Sequence, residues 1–159
     1  MIAGRLRHAA LTAGFVLALS MLPSLRAQAQ EPAGQQKVLD PQIERKLRLA
    51  FDYHELAKLY LKKGDADKAV TEIRKVLQLS LPADYEPMVV QSIAYVADKL
   101  GEVRKFDLAQ TLLDDTLKSV EQPANQARVL KTKARLFLAA GDDDKAIESW
   151  KRALEFEAR

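Results

Sequence analysis

Apolar residues recur with the period of an α-helix through most of the chain after its first 39 residues. In the first such segment they stand three or four positions apart, as Ile43 and Leu47 do. Asp40 can cap a helix and Pro41 suits its first position. We therefore expect a helix that begins there and runs to about Lys63.

Five further helices are predicted between breaks in this pattern, because the breaks contain glycine or proline, which end helices. The predicted helices cover residues 66–80, 88–100 with a start up to one turn earlier, 106–120, 124–140 and 143–157. Residues 81–87, with two prolines, are predicted to form a turn. No segment keeps a strand pattern. The sequence therefore predicts an all-α fold of about six helices, paired antiparallel by short turns.

A short string of residues occurs twice in the chain. Residues 64–70 read Gly-Asp-Ala-Asp-Lys-Ala-Val, and residues 141–147 read Gly-Asp-Asp-Asp-Lys-Ala-Ile. A weaker copy, Lys-Phe-Asp-Leu-Ala-Gln, lies at residues 105–110. The alanines of the three copies are 40 and 37 residues apart: Ala69, Ala109 and Ala146. Self-similarity at this period is typical of stacked helical hairpins, which usually bind other proteins.

The three helix pairs resemble the tetratricopeptide repeat, in repeats that cover about residues 50–83, 90–123 and 127–159. The matching residues are Tyr53, Leu56, Ala57, Tyr60, Ala69, Ile73 and Val76 in the first repeat; Ile93, Val96, Ala97, Leu100, Ala109, Leu113 and Thr116 in the second; and Leu130, Lys133, Ala134, Phe137, Ala146, Trp150 and Ala153 in the third. Lys133 at an apolar place and Thr116 at a small one depart from the pattern. The resemblance implies a short right-handed α-solenoid with Phe137 and Trp150 in the core. An unrelated six-helix bundle is the alternative.

In this family the first helices of the pairs line a concave groove that takes a peptide. The residues that the resemblance places in this groove are His54, Lys58, Lys62, Gln91, Tyr95, Asp98, Arg128, Lys131 and Arg135. We expect Tyr95 to be an apolar anchor. Arg128, Lys131 and Arg135 share a helix face and could hold a carboxylate of a partner. A solvated charged face is the alternative interpretation.

The ends of the array are a second candidate surface. Helical arrays normally carry a polar terminal cap, and no capping helix follows the sixth predicted helix in this sequence. We therefore expect an apolar end interface at Ile147, Leu154 and Phe156, which would dock a partner or a second copy of the chain. Cover by Lys151 and Arg152 is the alternative.

Residues 1–29 have the features of a secretory signal peptide. Arginines precede an apolar run from Ala9 to Leu22, and residues 27–29, Ala-Gln-Ala, offer a cleavage site after Ala29. As a helix the run would reach only about 21 Å, too short to cross a bilayer. Retention of the segment as a membrane anchor is the alternative. Residues 30–39 are predicted to be a flexible linker, which leaves the helical domain at residues 40–159.

Composition narrows the classes of function. Without the three arginines of residues 1–29, the chain has 22 basic and 22 acidic residues. A nucleic-acid partner is therefore not expected, since it needs a basic excess. The chain has no cysteine, and His54 is the only histidine after the signal peptide, which excludes a Cys/His metal site.

The acidic residues do not form the pattern of a calcium site or of a catalytic pair either. Asp142, Asp143 and Asp144 lack the alternating ligands of a calcium loop and suit the start of a helix. Asp114 and Asp115 are adjacent on a helix and point apart, so they cannot form a catalytic pair. No enzyme activity and no cofactor are expected.

The predicted function is a non-catalytic adaptor or scaffold, exported to the bacterial periplasm, that binds a protein or peptide segment in its groove. The alternative is a structural accessory subunit of a multi-protein cell-envelope complex, docked through the ends of the array. A homo-oligomer is compatible with either. No stable membrane insertion is expected after signal cleavage. The sequence does not name the partner.

Overall fold

The computed structural model describes residues 40–158, which form six α-helices and one 3₁₀ turn. The helices are α1 (Pro41–Lys62), α2 (Ala66–Gln78), α3 (Glu86–Glu102), α4 (Phe106–Ser119), α5 (Pro123–Ala140) and α6 (Asp143–Glu157), with the 3₁₀ turn at Ala83–Tyr85. No strand occurs in this range, and the predicted all-α class is confirmed. The expected signal peptide and linker lie outside the described residues.

The observed helix bounds differ from the predicted ones mainly at two prolines. Pro87 is predicted in a turn but stands in the first turn of α3, and Pro123 is predicted in a break but begins α5. Proline is tolerated in a first turn because the N–H groups there have no acceptor within the helix. At α1, Asp40 caps the helix as predicted, accepting a 2.8 Å hydrogen bond from the N–H of Gln42.

One turn geometry closes all three helical hairpins, α1–α2, α3–α4 and α5–α6. The backbone is left-handed at Gly64, Arg104 and Gly141, with φ of 78°, 60° and 81°. In each turn the next N–H donates to the carbonyl five residues back, and the pairs are Asp65 to Tyr60 at 2.9 Å, Lys105 to Leu100 at 2.8 Å, and Asp142 to Phe137 at 2.9 Å. This bond satisfies a carbonyl of the ending helix. Arg104 adopts this conformation in place of glycine, at a cost of about 1–2 kcal/mol. The middle copy therefore lacks the glycine that begins the two outer copies.

Aspartate caps the second helix of the two outer hairpins. Asp65 accepts from the N–H of Lys68 at 3.1 Å, and Asp142 accepts from the N–H of Lys145 at 3.1 Å. Hydrogen bonds from the Lys145 side chain and then from its N–H lower the pKa of Asp142, so this cap is ionised at neutral pH. The aspartates at the start of α6 thus have a structural role that requires no metal.

The hairpins stack in chain order. Helix α3 packs against α1 and α2, and α5 packs against α3 and α4. Alanines that are fully buried leave room for close helix contact, and they are Ala57, Ala69, Ala97, Ala109, Ala134 and Ala146. Larger apolar side chains fill the space between them, among them Ile73, Ile93, Leu100, Leu112, Leu113 and Leu130. The predicted array of stacked hairpins is therefore what residues 40–158 form.

The prediction that Trp150 lies in the core is wrong. Its side chain is 38% exposed, whereas Ile73 and Leu113, at the equivalent places in the first and second hairpins, are buried. Those two lie on helices that a following hairpin covers, and no helix among the described residues packs on the outer face of α6. Phe137 is buried as predicted.

Polar contacts accommodate the two departures from the repeat pattern. Lys133 forms an ion pair with Asp114 of α4. The buried hydroxyl of Thr116 donates to the carbonyl of Leu112 at 2.7 Å. Asp115 pairs with Arg74 at 3.0 Å, so the adjacent acids at 114 and 115 contact different hairpins. Both aspartates therefore connect their hairpin to a neighbouring hairpin.

Candidate binding groove

Side chains of α1 and α3 meet in the middle of the predicted groove. The rings of His54 and Tyr95 are 5.5 Å apart between centroids and tilted by 56°. Beside them is a cavity of about 280 Å³, called the central pocket below, whose lining residues are Lys58, Leu61, Lys62, Tyr95, Lys99, Glu102 and Val103. The structure thus brings three of the predicted groove residues, Lys58, Lys62 and Tyr95, to one cavity.

The central pocket is rich in positive charge that is only weakly paired. Lys58 donates to Glu55 at 2.7 Å, and Lys99 donates to Glu102 at 2.8 Å. These hydrogen bonds raise the pKa of both lysines, so both are cationic at neutral pH. Their side chains are 38% and 41% exposed, and ion pairs of this kind contribute little stability. Lys62 has no ion pair among residues 40–158. A carboxylate of a partner could therefore replace the internal partners at small cost.

His54 adds an aromatic surface to the groove without adding charge. Its Nδ1 atom is buried and has no hydrogen-bond partner within the described part of the chain. Burial, and after it the positive charge of Lys58, lowers the pKa of His54, while Glu55 opposes the shift. The imidazole is therefore neutral at pH 7. It extends the ring surface of Tyr95 along α1.

The basic residues of α5 do not form the single cluster that the sequence predicts. Lys131 forms an ion pair with Glu157 of α6. Arg135 instead pairs with Asp98 of α3 at 3.3 Å. Because α5 lies between α3 and α6, side chains one turn apart can reach toward different neighbours. Of the three cations, Arg128 is exposed and has no ion pair within residues 40–158.

Four residues of the central pocket were missed by the reasoning from sequence: Leu61, Lys99, Glu102 and Val103. A signal for two of them exists, because Tyr95, Lys99 and Val103 follow one another at steps of four residues. At this spacing side chains share a helix face. The remaining predicted residue, Gln91, is exposed on α3 one turn before Tyr95.

The predicted end residues behave in two ways. Ile147 and Leu154 are 52% and 59% exposed, as expected for an uncovered end. Phe156 differs, because it is half-buried and packs against the apolar cluster of Ala127, Leu130 and Ala153. The exposed apolar residues of α6 are therefore Ile147 and Leu154, together with Trp150.

Two other kinds of site are absent from residues 40–158. No group of three or more histidine, aspartate or glutamate side chains in this range is placed to hold a metal ion. No helix in the same range is long and apolar enough to cross a membrane.

The architecture is that of a helical-repeat interaction module, in which stacked hairpins present the first helix of each pair on one surface. The family model described as "Tetratricopeptide repeat" matches residues 53–81, in the first hairpin. "Photosystem I assembly protein Ycf3" of Parasynechococcus marenigrum (strain WH8102) is 28% identical over 91 residues, which are 56% of this chain and 51% of that protein. The family model thus covers the first hairpin, and the match to this relative spans about half of the relative's length.

Proposed function

We propose that the chain is a non-catalytic adaptor, exported to the bacterial periplasm, that holds a segment of a partner protein across α1 and α3. The observation that carries the proposal is the central pocket, which Lys58, Lys62 and Lys99 line together with Tyr95. This combination suits a segment in which an apolar side chain is flanked by carboxylates. Export is supported by the signal-like pattern of residues 1–29.

Binding would proceed by exchange of weak internal contacts. Carboxylates of the partner would replace Glu55 at Lys58 and Glu102 at Lys99, while the apolar side chain would cover Tyr95. The exposed pair between Asp98 and Arg135 offers a further exchange at the boundary with α5. Since such pairs are worth roughly 0–1 kcal/mol each, opening them leaves most of the new contact energy for binding.

The comparisons support a protein partner. Tetratricopeptide repeats are arrays that bind other proteins along an extended concave surface, and the relative's name describes an assembly protein. An adaptor that gathers or holds other proteins is consistent with both.

Peptides selected from a random displayed library on the full chain should be enriched in aspartate and glutamate beside an apolar residue. Changing Lys62→Glu and Lys99→Glu together should weaken the selected peptides by at least about tenfold, or roughly 1.4 kcal/mol. The reason is that two charge contacts of about 0.5–1 kcal/mol each become repulsive. Fluorescence anisotropy of a labelled peptide measures the effect.

A matched control changes Lys105→Glu and Lys118→Glu, two exposed residues at the ends of α4. This double variant has the same net charge as the groove variant, so it removes the same long-range attraction. It should change peptide affinity by less than about threefold, since charges outside the contact are screened. Equal losses in the two double variants, or selected peptides without acidic residues, would contradict the proposed site.

A further inference from the structure

The contacts between hairpins mark which face of each helix looks toward the next hairpin. Arg74 of α2 reaches forward to Asp115 of α4 at 3.0 Å. Asp114 of α4 reaches forward to Lys133 of α5. Arg74 and Asp114 stand at equivalent places in their hairpins, one residue after the buried Ile73 and Leu113. The forward face of a second helix is therefore apolar, with one charge that pairs across the boundary.

Helix α6 carries the same forward face, and none of the described residues covers it. The apolar residues of this face are Ile147, Trp150 and Leu154, which are 52%, 38% and 59% exposed. The equivalent residues, buried or half-buried, are Val70, Ile73 and Leu77 in α2, and Gln110, Leu113 and Leu117 in α4. The charged place is taken by Lys151, which is exposed and has no ion pair within residues 40–158.

Helix α1 carries the complementary backward face, also uncovered in the described range. In α5 two residues mark this face. Lys133 pairs with Asp114 of α4. Leu136 packs on Gly101 of α3 so closely that a Cβ added to this glycine would lie 3.1 Å from Leu136 Cδ1. The equivalent residues of α1 are Leu56 and Leu59. They are 40% and 54% exposed, whereas Leu136 is 5% exposed.

We propose that a second copy of this chain covers these faces, with the forward face of α6 in one copy packed on the backward face of α1 in the next. Each face then gains the apolar cover that its equivalents have inside the array. In the register of the Asp114–Lys133 pair, Lys151 of one copy would lie beside Leu56 of the next, one turn from Asp52, an exposed carboxylate that has no ion pair among the described residues. In the register of the Arg74–Asp115 pair it would lie beside Lys75, whose charge Glu72 already pairs. The two faces differ, so the contact is head-to-tail and can extend from copy to copy.

Two variants of the full chain test this arrangement. Leu59→Glu closes the backward face of α1, and Ile147→Glu closes the forward face of α6. Each variant alone should sediment as a monomer, because every contact needs one face of each kind. An equal mixture should form a dimer and stop there, since the remaining open faces are both blocked. The unchanged chain should gain mass steadily with concentration in sedimentation velocity experiments.

Phe51→Glu is the matched control. Phe51 is 65% exposed on α1, but its equivalents Gln91 and Arg128 are exposed on the groove side rather than between hairpins. This variant should associate as the unchanged chain does. The proposal is overturned if the unchanged chain stays monomeric, if Leu59→Glu alone forms dimers, or if both single variants still associate, as contacts through residues 1–29 would allow. None of these outcomes depends on peptide binding in the central pocket.

Discussion

Replacing Leu113 by alanine should lower the free energy of unfolding by about 2–5 kcal/mol. Leu113 is 1% exposed on α4, the second helix of the middle hairpin. Its side chain fills space on the face that α4 turns toward α5, so truncation removes buried apolar surface and leaves a cavity between two hairpins. Urea unfolding followed by circular dichroism at 222 nm, where helices give a strong negative band, measures the loss.

Leu154→Ala provides the same chemical change at an exposed site. Leu154 is 59% exposed on α6, so this substitution should change the free energy of unfolding by less than about 0.5 kcal/mol. Both variants should be compared at low protein concentration, where association between copies cannot add stability. Similar losses at the two leucines would mean that the middle hairpin is not packed between its neighbours as described.

A second large effect is expected at Glu86, the first residue of α3. Its carboxylate accepts hydrogen bonds from the N–H groups of Glu121 and Gln122 at 2.9 and 3.1 Å, and from Asn125 Nδ2 at 3.0 Å. These contacts tie the start of α3 to the turn between α4 and α5. Glu86→Gln places an amide donor opposite one of these donors. We expect a loss of about 1–2 kcal/mol, limited by partial solvation of the site.

The contribution of Glu86 to the free energy of unfolding should depend on pH. Burial acts to raise the pKa of Glu86, but the hydrogen bonds from Asn125, Glu121 and Gln122 outweigh it and lower the pKa below its ordinary value. A carboxyl with a lowered folded-state pKa stabilises the fold above its unfolded-state pKa. That stabilisation is lost as the pH falls through the folded-state value.

The difference in unfolding free energy between the unchanged chain and Glu86→Gln should therefore be full at pH 7 and shrink toward zero under acidic conditions. Urea unfolding at a series of pH values measures it. Glu148→Gln, at an exposed residue of α6, is the control and should give no difference at any pH. A Glu86→Gln effect that stays constant into acid would contradict the ionised state of this carboxylate.

Much of the fold could be predicted because local signals agree with the packing. Gly64 and Gly141 provide left-handed turns without strain, and Asp65 and Asp142 cap the helices that follow. Alanines at matching places indicated where helices come close. The middle turn was harder to recognise because Arg104 takes the left-handed conformation that the outer turns give to glycine.

The features that could not be predicted from the sequence depend on contacts between residues that are distant in it. Periodicity places Trp150 on the apolar side of α6, but its burial needs a helix packed on the outer face of α6, and none of the described helices lies there. The same reason applies to Lys131 and Arg135, which share a helix face yet pair with residues of α6 and α3. Family resemblance placed Lys58 and Tyr95 in the groove. The spacing from Tyr95 places Lys99 on the same face of α3, but that Lys99 lines a cavity with Lys58 and Lys62 follows from the packing of α3 against α1.

The proposed function requires that the surface of α1 and α3 around Tyr95 hold the partner. Its most direct test is to place a photo-crosslinking amino acid at residue 95 and, separately, at the exposed Thr111 of α4, and to irradiate living cells. We expect a protein adduct at residue 95 that disappears with Lys62→Glu and Lys99→Glu, and no such adduct at residue 111. An equal adduct at residue 111, or one at residue 95 that is indifferent to both charge reversals, would contradict it.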